Sequence, residues 1–363
     1  PDNTGQIMKM AQRLLCRPFD VQARPGNALA ARLHGRNINL QPGVAERGAQ
    51  NGKIHSQIRH GRQKHVPGNP GWTIKIQLGH FLPHRQFFTR RHHMRIAAVQ
   101  VSGIPGDVQG NLEKIRIHTQ KGAAAGCRLL LFPELTDLGY DLRAVPRHGP
   151  ATWKTSQGVL AGLAREFSLC LVCGVCLADG HNHANALVAW GPDGEILVIY
   201  RKTHLFRAGD IDETQVFRAG DAATCFELDG IRFGLSICYD LRFPELFRTL
   251  ALGGCHVLLL AAAWPRARIH VWKPLCIARA VENQCYLVGA NLVGDQGMYP
   301  CGGASLFVTP AGQTTEADPR QECLVHGSVC TEELREIRNA VPALAHRRPD
   351  LYARGLSYCP SSL

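Results

Sequence analysis

The chain has 363 residues, 45% of them hydrophobic and 19% charged, which suits a globular protein with room for one large domain plus an appendage, or two modest domains. No stretch reaches the ~18–20 uninterrupted apolar residues of a membrane-spanning helix; "HVLLLAAAW" is the longest candidate. The net charge of +12 suggests a polyanion partner, but residues 1–93 carry 15 Lys+Arg against 3 Asp+Glu while residues 94–363 carry 26 of each, so nucleic acid is not expected as a partner of the body.

Residues 1–93 are rich in Arg, His, Gly, Pro, Asn and Gln and lack the apolar runs a core requires. This basic extension is expected to be disordered or non-native. A basic tether for RNA or membrane is the sharper reading of the same charge. The segment is too long, too broken by Pro and Gly and too poor in Ser to match a transit peptide well. Because the chain opens on Pro1, Met94 is expected to be the true start.

From Met94 short apolar runs alternate with helical patterns. "RIAAVQVS" and "RLLLFPE" read as strands, with a helix over "NLEKIRIHTQKGAAAG" between them; a second helix covers about 152–167, before a strand at "LCLVCGV". "NALVAW-GPDG-EILVIYRK" and "TCFEL-DG-IRFGLSIC" read as hairpins. Helices are expected at about 243–252 and 265–282, and strands at "HVLLLAA", "YLVGANLV", "ASLFVTP" and "CLVHGSV". Hairpins mixed with crossovers imply a mixed sheet, or two sheets, covered by helices. Residues 341–363 form a tail that either frays or crosses a neighbouring subunit.

The 14 cysteines are irregularly spaced in a chain large enough to need no staples, which favours a reducing cytoplasmic setting. "CLVCGVC" (Cys170, Cys173, Cys176) has the spacing of half a zinc site, yet no second pair of ligands follows. It reads as a buried strand, and neither metal nor cofactor is expected.

Three apolar strands end in chemically competent groups: "LLLFPEL" in Glu134, "LVIYRKTHLF" in Lys202 and "FGLSICYD" in Cys238. Taken singly, each is more simply a core or surface residue; together they supply what a thiol nucleophile needs. A free thiol near pH 7 is only a few per cent thiolate, so it requires a base or a cation beside it. Glu134 would take the proton and return it to a leaving amine, while Lys202 and a backbone N–H would hold the oxyanion.

In these flanking words the chain resembles the nitrilase superfamily of carbon–nitrogen hydrolases over about residues 94–335. "ETQVFRAGD" resembles the element carrying a second glutamate, here Glu213; "RAVENQCYLVGANLVG" and "GGASLFVTPAGQ" match two later elements. The resemblance implies an α/β fold of four layers, an α-β-β-α sandwich spanning 94–340, assembled as a homodimer or higher homo-oligomer. It also implies a metal-free thioester mechanism. Cys238 would attack, Glu134 would shuttle protons, Lys202 would stabilise the oxyanion with the Tyr239 N–H, and Glu213 would orient the lysine or the hydrolytic water. "CYDLRFPELFR" resembles the amidase-type branches, so a small amide is favoured, with a nitrile or an N-carbamoyl substrate as the alternative within enzymes. Arg242 reads as a carboxylate clamp or as an internal partner of Glu245 at helical spacing. Outside enzymes, the alternatives are a non-catalytic scaffold and an RNA-associated protein using the basic N-terminus.

Overall fold

The computed structural model describes residues 29–33, 36–40 and 93–353. The chain divides into two compact units, Pro1–Phe87 and Phe88–Leu363. In the first, strands β1 (Leu29–Leu33) and β2 (Arg36–Leu40) pair antiparallel, Leu29 opposite Leu40. The expectation of disorder for the remainder of residues 1–92 lies outside the described residues.

The second unit opens with β3 (His93–Gln100), helix α1 (Val108–Ala124), β4 (Leu129–Leu131) and helix α2 (Pro150–Glu166). Strands β5 (Cys170–Asp179), β6 (Asn182–Trp190) and β7 (Ile196–Arg201) follow, then a short ladder of β8 (Arg207–Ala208) and β9 (Ile211–Asp212). The second half runs β10 (Cys225–Leu228), β11 (Ile231–Ile237), α3 (Pro244–Leu252), β12 (Val257–Ala262), α4 (Trp272–Asn283) and β13 (Tyr286–Asn291). The chain closes with β14 (Val293–Asp295) and β15 (Pro300–Gly302), β16 (Leu306–Val308), β17 (Thr314–Glu316), β18 (Cys323–Cys330), α5 (Thr331–Ala340) and α6 (Pro349–Tyr352).

Two six-stranded sheets carry the architecture, ordered β18-β3-β4-β5-β6-β7 and β10-β11-β12-β13-β16-β17. Each joins its strands in the same sequence: one antiparallel pair, two parallel pairs, then two antiparallel pairs. Strand alternation sorts the side chains into layers. Ile96, Ala98, Leu129, Leu131 and Val172 join the core shared with the second sheet, whereas Ala97, Val99, Leu130 and Leu171 join a core with Leu112 and Ile115 of α1 and Leu160 and Leu163 of α2. On the second sheet, a Cβ added at Gly234 would press on Leu250 of α3, and one at Gly289 on Trp272 of α4. Gly327 of β18 lies so close to the Phe307 ring of β16 that no side chain fits between the sheets there. The result is helices, sheet, sheet, helices, the sandwich expected from the resemblance. Each large aliphatic side chain withdrawn from water in these layers contributes about 1.5–3 kcal/mol.

Among the helices, two differ from the sequence reading in ways that bear on the second half of the chain. The helix expected from 265 begins at Trp272, after a 3₁₀ segment at Arg266–Val271. Pro274 explains the delay, since its missing N–H and its ring are tolerated only in a first turn. Helix α5 was not anticipated; Leu334 is its one buried residue. Cys170 lies in the core between the sheets and Cys173 in the core under the helices, so the C-x-x-C spacing points their thiols to opposite faces of β5. Among the described residues no group of His, Cys, Asp and Glu is arranged to hold a metal ion.

Candidate active site

Glu134, Lys202 and Cys238 each follow the last residue of a strand, β4, β7 and β11 respectively, or lie within three residues of it. The turn after β4 is set by a close approach: Gly174 of β5 donates its N–H to the Pro133 carbonyl at 3.1 Å, and its carbonyl accepts from Thr136 N at 2.7 Å. A Cβ on Gly174 would lie 2.1 Å from the Pro133 oxygen and 2.6 Å from Glu134 Cα, so glycine is required for the carboxylate to sit where it does.

Lys202, fully buried, donates to Glu134 Oε1 at 2.7 Å and to Glu213 Oε1 at 2.8 Å. Asn185 Nδ2 also donates to Glu134 Oε1, at 2.7 Å, and Tyr140 Oη donates to Glu213 Oε1 at 2.8 Å. The remaining carboxylate oxygens accept backbone N–H groups, Glu134 Oε2 from Ala263 at 2.8 Å and Glu213 Oε2 from Phe206 at 2.7 Å. Burial alone would depress the Lys202 ammonium, but the two carboxylates hold it well above its ordinary value. Burial pushes the Glu213 carboxyl up, against the pull of Lys202. One cation thus serves two carboxylates, and the pairing makes so much buried charge tolerable.

Cys238 adopts a left-handed backbone, φ +45°, where β11 breaks into a 3₁₀ turn over Cys238–Arg242. A non-glycine residue is uncommon there, and such strain gathers at functional sites. Asp240 holds the turn: its buried carboxylate accepts from Ile237 N at 2.8 Å, Tyr200 Oη at 2.7 Å and His204 Nδ1 at 2.7 Å. It therefore ties the cysteine segment to the segment after Lys202. Burial first, and the Glu134 charge second, push the Cys238 thiol well above its ordinary value, so the resting group is a neutral thiol. The Ala263 N–H faces both the Glu134 carboxylate and this sulfur, which makes them neighbours.

Cys238 opens into a cavity of about 180 Å³ lined by Tyr140, Phe206, Tyr239, Trp264 and Tyr299 together with Arg242 and Arg268. Arg242 lies over the Trp264 ring at 5.4 Å and Arg268 over the Phe206 ring at 5.8 Å. Among the described residues Arg242 is found over Trp264 and in no ion pair with Glu245. A larger cleft, about 900 Å³ beside Asp107 and Arg147, has no cysteine or carboxylate-lysine cluster along its wall.

The structure therefore gathers Glu134, Lys202, Glu213 and Cys238, and sets Tyr239 and Arg242 on the same cavity. Sequence reasoning missed Asn185, Tyr140, Asp240, the Ala263 N–H and Arg268. Asn185 gave one signal, an amide in a strand position where burial demands an apolar residue.

A family model for carbon–nitrogen hydrolases matches residues 95–339. A 2-oxoglutaramate amidase of Bacillus subtilis is 32% identical over 258 residues, covering 71% of this chain and 98% of that protein. The human omega-amidase NIT2 is 30% identical over 272 residues, covering 72% and 96%. Among solved structures, an amidase of the nitrilase superfamily from Nesterenkonia AN1 superposes with a TM-score of 0.67 at 28% identity, over 74% of this chain and 98% of that one. A variant of the Nesterenkonia amidase carries the acetamide moiety of fluoroacetamide covalently on its active-site cysteine, and matches at a TM-score of 0.66 and 28% identity over 74% and 98%.

Proposed function

The chain belongs to the carbon–nitrogen hydrolase family, and from that premise we propose that it hydrolyses the terminal amide of a small carboxylic acid through a thioester on Cys238. The observation that carries this reading is the Glu134–Lys202–Glu213 cluster beside the thiol that opens into the cavity. In the proposed sequence, Cys238 Sγ attacks the amide carbon as its proton passes to Glu134. The oxyanion is held by Lys202 Nζ and the Tyr239 N–H. Glu134 then protonates the departing ammonia, leaving an acyl thioester, and takes a proton from the water that attacks it. Glu213 keeps Lys202 charged and aimed throughout.

Substrate size follows from the cavity, which is below the ~300 Å³ of a drug-sized site. Among the described residues lining it, the charged side chains are Arg242 and Arg268, which favours an amide whose far end is a carboxylate. This agrees with the substrates named for the similar 2-oxoglutaramate amidase and omega-amidase. A homo-oligomer, as the family resemblance implies, is part of the proposal and is read by light scattering. No described helix is long and apolar enough to cross a membrane. The irregular cysteine spacing is the basis on which a reducing, cytoplasmic setting joins the proposal.

The test is intact-mass spectrometry after mixing the protein with a panel of ω-amides of short dicarboxylates, neutral amides, nitriles and carbamoyl amino acids. An acyl adduct from the ω-amides, mapped to Cys238 and absent in Cys238→Ala, is expected. Adducts or ammonia from the nitriles alone would refute the amide reading.

A further inference from the structure

A second thiol site lies outside the cavity. Cys225 is exposed and Cys255 is buried. Cys225 of β10 stands directly opposite Gly234 of β11, so its side chain projects on the face that a side chain at 234 would occupy. Gly234 has none, and the space is bordered by sulfur: a Cβ there would lie 3.1 Å from Cys255 Sγ. Cys225 and Cys255 therefore border the same gap. Cys285, buried nearby, already directs its thiol to the Cys255 and Asn283 carbonyls, both at 3.3 Å. The pair is remote from Cys238. Cys255 lies just before β12 starts, whereas Cys238 follows the end of β11, and those two strands run parallel.

We propose that Cys225 and Cys255 are an oxidation site, at which a peroxide converts the two thiols to an intramolecular disulfide. Exposure makes Cys225 the sulfur that meets the oxidant. Its thiolate attacks one oxygen of hydrogen peroxide, the O–O bond breaks, and Cys225 becomes a sulfenic acid while the other oxygen leaves with the thiol's proton as water. The Cys255 sulfur then attacks Cys225 Sγ, the S–O bond breaks, and the Cys255 proton leaves with the hydroxyl as a second water. Two thiols have lost two electrons and the peroxide has gained them. Burial holds the Cys255 thiol at about 12, which makes it a poor first target and leaves it to act as the resolving partner. The bond closes a covalent loop that contains β11 and Cys238, so the oxidised protein has its nucleophile segment tied at both ends.

The experiment uses the full chain carrying Cys238→Ala, so that the catalytic thiol does not consume oxidant. The reduced protein is treated with hydrogen peroxide, alkylated, digested without reductant and mapped by mass spectrometry. A peptide linking Cys225 to Cys255 is expected, lost on reduction and absent when Cys225→Ser is added. With Cys255→Ser instead, Cys225 is expected to be trapped as the sulfenic acid by a 1,3-diketone probe. Three results each overturn the proposal: no linked peptide at complete oxidant consumption, linkage of Cys255 to Cys285, or a link whose yield is unchanged by Cys225→Ser.

Discussion

At the residue scale the proposed mechanism makes Glu134 carry protons in both halves of turnover. Glu134→Gln keeps the volume and removes the base, and kcat is expected to fall at least ~100-fold, measured as ammonia release under saturating amide. Retention of near wild-type turnover would remove Glu134 from the mechanism. Behind the same loop, buried Asp137 and His148 face each other at 3.7 Å and titrate in opposite senses. Burial raises the Asp137 carboxyl to about 7, and burial together with His183 lowers His148 to about 4. From about pH 4 to 7 folded Asp137 keeps a proton that the unfolded chain releases, so its contribution to stability falls as pH rises. His148 does the reverse: the unfolded chain takes up a proton below about pH 6.5 that the folded imidazole refuses until about 4, so stability rises with pH. The two nearly cancel in the wild type. Asp137→Asn is expected to leave a rising profile and His148→Gln a falling one, each by about 3–4 kcal/mol across the window. Urea denaturation at several pH values reads both slopes, and slopes of the same sign would show that the pair does not titrate this way.

At the scale of elements, the Glu134 turn depends on β5 having no side chain at 174. Gly174→Ala would push against backbone atoms of Pro133 and Glu134, which cannot rotate away. A loss of about 1–3 kcal/mol is expected, with kcat down by up to about 100-fold from a displaced carboxylate. Thermal melting and steady-state kinetics measure the two; an unaffected kcat would mean that the turn is not positioned by this contact. Element scale also shows what was legible beforehand. The strands ending in Glu134, Lys202 and Cys238 were readable because their apolar runs are continuous and stop at charge. The two hairpins were readable from Pro-Asp-Gly and Asp229-Gly230, the latter pairing with φ values of +49° and +77°. The three-residue strands β14, β15 and β17 were not, since three residues carry no period. Within the site, the residues named in advance were those with distinctive flanking words. Asp240 and the Ala263 N–H escaped because one looked like an ordinary turn residue and the other is backbone, visible only when strands distant in sequence are side by side.

At the scale of the whole molecule, the two sheets repeat one strand pattern, and the site lies where the ends of their strands meet: Glu134 follows β4 of one sheet and bonds the Ala263 N–H that follows β12 of the other. The second sheet is built from one contiguous stretch, β10 to β17, but the first is not. β18 returns to pair along all of β3, Cys323 opposite Gln100 through Cys330 opposite His93. A chain cut after Gln321 would leave the inner strand β3 with an open edge and the Phe307 ring without its glycine cover. Such a protein is expected to enter the insoluble fraction on expression and to give no monodisperse peak on gel filtration; a soluble, active truncation would contradict this dependence.

This late closure also sets a timetable for biosynthesis. At ~5–20 residues per second, the ribosome would take on the order of ten to fifty seconds between finishing β3 and delivering its edge partner. Throughout that interval the nascent protein presents a bare apolar ribbon. Its survival on the way to the native state therefore depends on whatever shields that ribbon until the last strand arrives.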